Sequence, residues 1–287
     1  MTVDIQKGFL QIFDVDHGQC ALLTMPALGG TRRVMIDCGH ATNFDGGGPW
    51  YPGLHLQNLG IKWLDLLICT NFDEDHMSGF PDLLRREIGI GCILGNPTVS
   101  PETITHLKTD DGMGPGIEAL AEVLRIRRDI NFVQTPPVIP GMSLGYCWNP
   151  YPFFDDENNL SLVTTLGIHG VNFLFPGDME RKGFDNILST YPPFRDVVAR
   201  THVLIASHHG RRNGICPAMF DDFGCRPSIV VISDDYKQYD TQETTSYYGS
   251  KCDGIAWFRN GGRRYVLTTR SDHEIRFSFR DRGCLIW

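Results

Sequence analysis

Apolar runs of strand length recur along the chain, and the polar residues on which they stop carry most of its chemistry. The densest run, Leu64, Leu66, Leu67, Ile68 and Cys69, breaks into Thr70-Asn71-Phe72-Asp73-Glu74-Asp75-His76 and a small-residue turn at Ser78-Gly79. A short, nearly continuous apolar run of this kind predicts a strand buried on both faces. Runs over 9–15 and 20–25 flank Asp16-His17-Gly18-Gln19 and predict a hairpin, and a third strand over 33–36 stops at Asp37-Cys38-Gly39. Further strands are predicted over 91–94, 141–148, 160–166 and 171–175, the last two joined as a hairpin through Gly167-Ile168-His169-Gly170. Two further strand ends carry chemistry: Phe173-Leu174-Phe175-Pro176-Gly177-Asp178, which closes the 171–175 strand, and Val203-Leu204-Ile205-Ala206-Ser207-His208-His209-Gly210.

Between these runs the spacing changes to helical. Helices are predicted over 51–59, closed by Gly60, over 79–87, over 117–128, where Leu120, Val123 and Leu124 share a face, and over 179–188. The Gly-rich stretch 43–49 reads as a loop, and 97–115, with scattered Thr, Asp, Gly and Pro, as a long loop or insertion. The pattern suits one large domain over 1–287 interrupted by that insertion.

Composition narrows the function classes. A chain of 287 residues with 41% hydrophobic content can bury a large core, and a net charge of -8 argues against a broad nucleic-acid-coating surface. Nine cysteines with no C-x-x-C pair, several in apolar runs, suit reduced buried thiols and a cytoplasmic location. No bilayer-spanning run is read, so no membrane is expected as partner. Walker and dinucleotide glycine loops are not read, nor is a serine-nucleophile elbow.

The strand ends hold the candidate chemistry. Asp73, Asp75 and His76 have the build of a metal-ligand loop, against the plainer reading of a solvated acidic turn. Asp37 either orients that loop or forms a turn. Asp178 either faces a site or caps the helix behind it. Two adjacent imidazoles, His208 and His209, cannot both tuck into an apolar face. His17 is read as a turn residue. Arg211 and Arg212 follow the histidines directly and, with Arg181, Lys182, Arg195 and Arg200 nearby, are either candidates for clamping a phosphate or the solvated face of a helix. A later basic series, Arg259, Arg263, Arg264, Arg270 and Arg276, is either a local nucleic-acid surface or the polar side of two terminal strands.

Asp37 in IDCG, the D-x-D-H of Asp73 to His76, Gly177-Asp178 and Ser207-His208-His209-Gly210, in this order and each at a strand end, resemble the metallo-β-lactamase-fold hydrolases. The similarity is greatest to stand-alone versions of the hydrolase domain of ComEC-type competence proteins. The opening FDVDHGQCALL and the phrase NNLSLV at Asn158 to Val163 are similar to that family too, so the resemblance runs from Phe9 to about Phe279. It implies an αββα sandwich of two mixed β-sheets flanked by helices, with one or two divalent ions, Zn²⁺ or Mn²⁺ and possible with Mg²⁺, at the sheet edge. Carried over by position, Asp75 and His76 match ligands of the second metal, Asp178 matches the bridging carboxylate, and His208 or His209, with His208 preferred, matches the late histidine. The implied reaction is hydrolysis by a metal-activated water, with a phosphodiester, nucleotide or nucleic acid as substrate.

The departures bear on activity. The family's motif begins with histidine, H-x-H-x-D-H or H-x-D-x-D-H, whereas this chain has Asn71 first and Asp73 third. Asn158 and Asn159 stand where a middle histidine is common, with Asn159 a supporting residue, and the strand over 228–233 leads to Asp234-Asp235 and Tyr239-Asp240-Thr241 where another histidine often lies. A neutral amide at Asn71 weakens the first metal position. The rival to an oxygen-rich hydrolase is therefore an inactive metallo-β-lactamase-fold subunit that binds a protein partner.

Overall fold

In the computed structural model, which describes residues 6–43, 47–109, 112–235, 240–256, 261–281 and 283–287, the apolar runs assemble into two facing sheets. The first orders its strands β15-β14-β1-β2-β3-β4-β5, and the second β13-β10-β9-β8-β7-β6. In chain order these are β1 (Gln6–Ile12), β2 (Cys20–Ala27), β3 (Gly30–Cys38), β4 (Trp63–Ile68), β5 (Gly89–Leu94), β6 (Met142–Trp148), β7 (Leu162–Ile168), β8 (Val171–Phe175), β9 (Val203–Ile205), β10 (Ile229–Ile232), β13 (Val266–Thr268), β14 (Ile275–Arg280) and β15 (Gly283–Ile286). A small pair, β11 (Ile255–Ala256) and β12 (Arg263–Arg264), stands apart.

Side chains on doubly buried strands point to either face and sort the core into three layers. Leu66 and Ile68 of β4 meet Val203 and Ile205 of β9 and Ile229 and Val231 of β10 between the sheets. On the other face of the first sheet, Leu64 and Leu67 pack on Leu56, Phe80, Leu83, Ile117 and Leu120. These come from α1 (Pro52–Asn58), α3 (Phe80–Arg85) and α5 (Pro115–Asp129); a one-turn helix, α2 (Glu74–Met77), lies just before α3. The outer face of the second sheet sends Leu204, Val230 and Ile232 against Phe184, Ile187, Phe194, Met219 and Tyr248. Those residues belong to α6 (Arg181–Thr190), α7 (Pro193–Ala199), α8 (Pro217–Asp221) and α9 (Thr245–Lys251). Helix, sheet, sheet, helix is the order of layers.

Some local expectations change. The insertion over 97–115 contains a helix, α4 (Pro101–Leu107), whose N-cap Ser100 accepts from Thr103 N. Its scattered threonines conceal a helix with little to bury beyond Ile104. Asp110 and Asp111 of that segment, and 44–46 of the Gly-rich loop, lie outside the described residues. So do Tyr239 and Arg259. The string Gly141-Met142-Ser143-Leu144-Gly145 has the letters of a serine elbow, but it enters and runs along β6, where Ser143 pairs with Gly167 and no strand-to-helix turn exposes a nucleophile.

Two glycines hold the loop after β4 in place. A Cβ on Gly18 or on Gly39 would lie 2.4 Å from the Asp75 carbonyl oxygen, so only backbone without a side chain lets β1–β2 and the end of β3 close on α2. Gly39→Ala is expected to cost about 1–3 kcal/mol in urea unfolding through this overpacking. Gly249→Ala on α9, where the nearest atom is 3.8 Å away, should leave the midpoint unchanged or raise it.

Candidate metal centre

Strands β3, β4 and β5 run parallel, as do β8, β9, β10 and β13, so their C-terminal ends collect chemistry along one edge of the sandwich. Asp37 ends β3, Asn71 to His76 follow β4, Asp178 follows β8, His208 and His209 follow β9, and Asp234 follows β10. The two sheets are tied there by Leu162 N donating to Thr70 O at 2.7 Å.

Asp37 is fully buried with φ 54°, a left-handed conformation that Asp tolerates better than most residues. Its carboxylate accepts from Thr70 N at 2.7 Å, from Thr70 Oγ1 at 2.5 Å, and from His76 Nδ1 at 2.9 Å. It thus orients the loop rather than merely turning the chain. With Nδ1–H held by Asp37, the His76 ring aims Nε2 at Asp178 Oδ1, 3.0 Å away. Asp178 is fixed in turn by its own N–H donating to Ser161 Oγ. It is not the cap of the following helix, which begins two residues later from Glu180 with no side-chain cap bond.

His209 arrives through backbone strain. His208 and His209 both adopt left-handed φ, 51° and 52°, before Gly210 at 73°. Two non-glycine residues there cost on the order of 1–2 kcal/mol each, sustained by the Ser207 hydroxyl donating to Gly177 O and by His208 N donating to the same carbonyl. The His209 ring shares Nδ1 with Ser233 O at 3.1 Å. That bond puts the proton on Nδ1 and leaves Nε2 as a lone-pair donor. Nε2 lies 3.1 Å from Asp75 Oδ2 and 3.6 Å from Asp178 Oδ1, close enough for ion pairing, yet it is buried and makes no directed hydrogen bond.

Asp75, His76, Asp178 and His209 therefore converge, with one ligand atom from each lying within 4.8 Å of the others. Two imidazole nitrogens and two carboxylates form a mixed donor set that suits Zn²⁺ or Mn²⁺. An undirected, buried His209 Nε2 and a His76 oriented by a second carboxylate are what such an ion requires of its surroundings.

Without an ion, the four groups balance one another. Burial opposes the His76 charge, but the Asp178 and Asp37 carboxylates outweigh it and hold the imidazole well above its ordinary value. Burial opposes the His209 charge as well, and Asp178 and Asp75 reverse the sign. Asp178 would be raised by burial, yet His76 and His209 hold it far below the usual carboxylate range. Asp75 is lowered too, against burial, by the close His209 imidazole and the His76 charge.

Other expected site residues lie elsewhere. His208, preferred by position, turns Nε2 to Arg211, 3.1 Å away, and stays 4.0 Å from Asp178 Oδ2. Burial, with the His209 and Arg211 charges, lowers its pKa against the pull of Asp178. Asp73 caps α2 through Glu74 N at 2.9 Å and pairs with Lys108 at 2.9 Å. Lys108, buried, also reaches Glu157 at 3.1 Å, so an ammonium rather than the cluster holds Asp73. Glu74 caps α5 by accepting from Gly116 N and Ile117 N. Asn71 is buried, donates to Asn158 Oδ1 at 3.3 Å, and has an unpartnered Oδ1. Asn159 braces α6 by accepting from Gly183 N and does not reach the cluster's four groups by any hydrogen bond among the described residues.

Arg211 is half-buried beside His208, whereas Arg212 is exposed. The remaining candidate cations are engaged within the chain. Arg195 donates to Leu188 O and stacks on Phe223, and Arg200 precedes β9, at the end of that strand opposite the cluster. Arg263 bonds Asp253 O, Arg264 pairs with Asp272, Arg270 with Asp234, and Arg276 lies over Phe9 and Trp287. These contacts tie the described members of that series to the C-terminal part of the fold.

One pairing escapes the sequence reading. His17 Nδ1 lies 3.0 Å from Asp234 Oδ1 across 217 positions, and Arg270 donates to Asp234 Oδ2 at 2.7 Å. The available signal was Asp234 at the end of an apolar strand, as with Asp37 and Asp178.

No family model matches the chain. It is 24% identical over 242 residues to ComE operon protein 3 of Bacillus subtilis, an alignment that takes in 79% of this chain and 28% of that protein. CmlA, a diiron β-hydroxylase from Streptomyces venezuelae, superposes with a TM-score of 0.50 at 10% identity, over 96% of this chain and 54% of that one. A diphosphatase of the PhnP family gives 0.42 at 10% identity, over 97% of this chain and 99% of that one. The chain thus spans about a quarter of the curated relative's length and about half of the β-hydroxylase's. Among the described residues no helix is long and apolar enough to cross a membrane. Its two facing mixed sheets, its outer helix layers and the strand-end order of Asp37, Asp75-His76, Asp178 and His209 make this chain a metallo-β-lactamase-fold protein, similar over most of its length to a ComE operon protein.

Proposed function

We propose that the chain is a metal-dependent hydrolase with a phosphodiester substrate, holding a divalent ion at Asp75, His76, Asp178 and His209. The observation that carries the reading is the convergence of those four groups, with His209 Nε2 buried among them and making no directed hydrogen bond. When bound, the ion supplies the Lewis acidity that activates a water and takes up developing negative charge. Asp37 keeps His76 in the tautomer that presents Nε2, and Ser233 O does the same for His209. Arg211, beside His208 at the rim, is the cation placed to meet an anionic ester. A nucleotide or nucleic acid is one form such an ester takes.

The donor geometry sets this reading apart from the one implied by position. His209→Gln is expected to lose most of the bound metal, whereas His208→Gln and Asp73→Asn retain it, as read by elemental analysis after dialysis against Zn²⁺ or Mn²⁺. Turnover of bis(p-nitrophenyl) phosphate by the wild-type chain in each metal tests the activity. A chain that retains no ion, and whose rate equals that of Asp178→Ala, is instead the inactive subunit that Asn71 and the Lys108-bound Asp73 would allow.

A further inference from the structure

We propose that Thr269 is a positioning residue for His209 and sets how tightly that imidazole holds an ion; the inference rests on the metal centre of the hydrolase reading above. Thr269 opens α10 (Thr269–Asp272), directly after β13. It is fully buried, and its hydroxyl meets Asp234 twice, accepting from Asp234 N at 2.9 Å and donating to Asp234 O at 2.9 Å. The Asp234 N–H belongs to the same peptide unit as the Ser233 carbonyl. That unit is trans, so its N–H and C=O point in opposite directions. Thr269 therefore holds one side of the unit while the other side accepts from His209 Nδ1 at 3.1 Å. The bond from the N–H to the hydroxyl polarises the peptide and makes its carbonyl a stronger acceptor.

Satisfying two buried backbone groups would by itself justify a hydroxyl here. His209 gives the contact a second consequence. Among the described residues, the Ser233 carbonyl is the one directed hydrogen-bond partner of its ring. The aim of Nε2 at Asp75 Oδ2 and Asp178 Oδ1, 3.1 and 3.6 Å away, is set through that carbonyl. The segment is braced further: Asp234 Oδ2 accepts from Arg270 at 2.7 Å, and Ser233 Oγ donates to Gly18 O at 2.8 Å. Gly18 in turn abuts the Asp75 carbonyl. One peptide segment thus fixes the surroundings of two of the four converging groups.

The other imidazole of the centre is held differently. His76 Nδ1 is paired with the Asp37 carboxylate at 2.9 Å, on the first sheet, and makes no bond to the 233–234 segment. A neutral carbonyl is a weaker partner than a carboxylate, so what polarises and aims it counts for more at His209 than at His76. Thr269 acts on His209 alone.

That contrast supplies the test. Affinity of the full chain for Zn²⁺ and for Mn²⁺ is measured by chelator competition, and the Nδ1 protons of the two imidazoles by NMR of the Zn²⁺-loaded chain carrying isotope-labelled histidine. Thr269→Val is expected to weaken binding of the ion roughly tenfold or more. It should also move the His209 Nδ1 proton upfield and speed its exchange with water, while the His76 proton stays in place. Thr269→Ser restores the hydroxyl and should stay within about threefold of wild-type affinity. Wild-type affinity in Thr269→Val, or equal displacement of both imidazole signals, overturns the inference and leaves the hydrolase reading intact. Should Thr269→Val not fold, Thr269→Cys, with a weaker donor and acceptor, takes its place, and values equal to those of Thr269→Ser overturn the inference. Wild type that takes up neither ion overturns the metal centre and this inference together. Wild type that binds an ion but turns over no phosphodiester removes the hydrolase reading and leaves the role of Thr269 standing.

Discussion

Asp178→Asn is expected to strip the chain of its ion and to lower phosphodiester turnover by about a thousandfold or more, the equivalent of about 4 kcal/mol of transition-state stabilisation. Asp178 is the carboxylate common to the centre: one oxygen lies 3.0 Å from His76 Nε2 and 3.6 Å from His209 Nε2. An amide there is neutral and presents one oxygen in place of two, so each imidazole loses one of its two counter-charges, His76 keeping Asp37 and His209 keeping Asp75, and an ion loses an anionic ligand. The effect is read by elemental analysis and by initial rates at saturating metal. Retained metal with wild-type rate would remove Asp178 from the site altogether.

Asp37→Ala is the variant expected to cost the most stability, about 3–5 kcal/mol in urea unfolding, because it leaves the buried Thr70 donors unpaired and takes away one of the two carboxylates that balance the buried His76. Three interactions end together: the bonds from Thr70 N and Thr70 Oγ1, and the pairing with His76. Alanine also sits poorly at φ 54°. Asp37→Asn tolerates the backbone and can still accept from Thr70 N, so it should recover much of the stability. It cannot restore the charge that orients His76, and metal affinity is expected to stay roughly 10- to 100-fold down. If Asp37→Asn binds metal as wild type does, the carboxylate serves the loop alone.

The same groups give the pH dependence its sign. In the ion-free protein His76 is held above its ordinary value, so its contribution to stability is complete below that value and is lost as pH rises through the raised one. Asp178 is held below its ordinary value, so its contribution is present above that value and disappears as pH falls through the depressed one. Metal must displace the protons that His76 and His209 hold, so its affinity rises with pH up to the raised values of those two imidazoles.

Reading the chain residue by residue goes a long way here because the strands are buried on both faces. Runs such as Leu66 to Cys69 and Val203 to Ala206 are unbroken in the sequence for that reason, and the residue that ends each run must stand at a sheet edge. Asp37, Asp75, His76 and Asp178 were legible as strand-end groups on that ground, whereas the layer order of the sandwich was implied by the family resemblance.

What the tertiary structure alone decided is which side chains turn toward one another. His208 and His209 are adjacent and chemically alike, and their separation into an Arg211 partner and a member of the cluster comes from consecutive left-handed backbone angles that no spacing rule reports. Asp73 has the motif position of a ligand, but α4 brings Lys108 to it from 35 positions away. His17 reads as a turn residue until the sheets close and place Asp234 beside it. The sequence by itself determined where polar groups end buried strands; the packing of two sheets, through contacts between residues far apart in the chain, decided which of them meet.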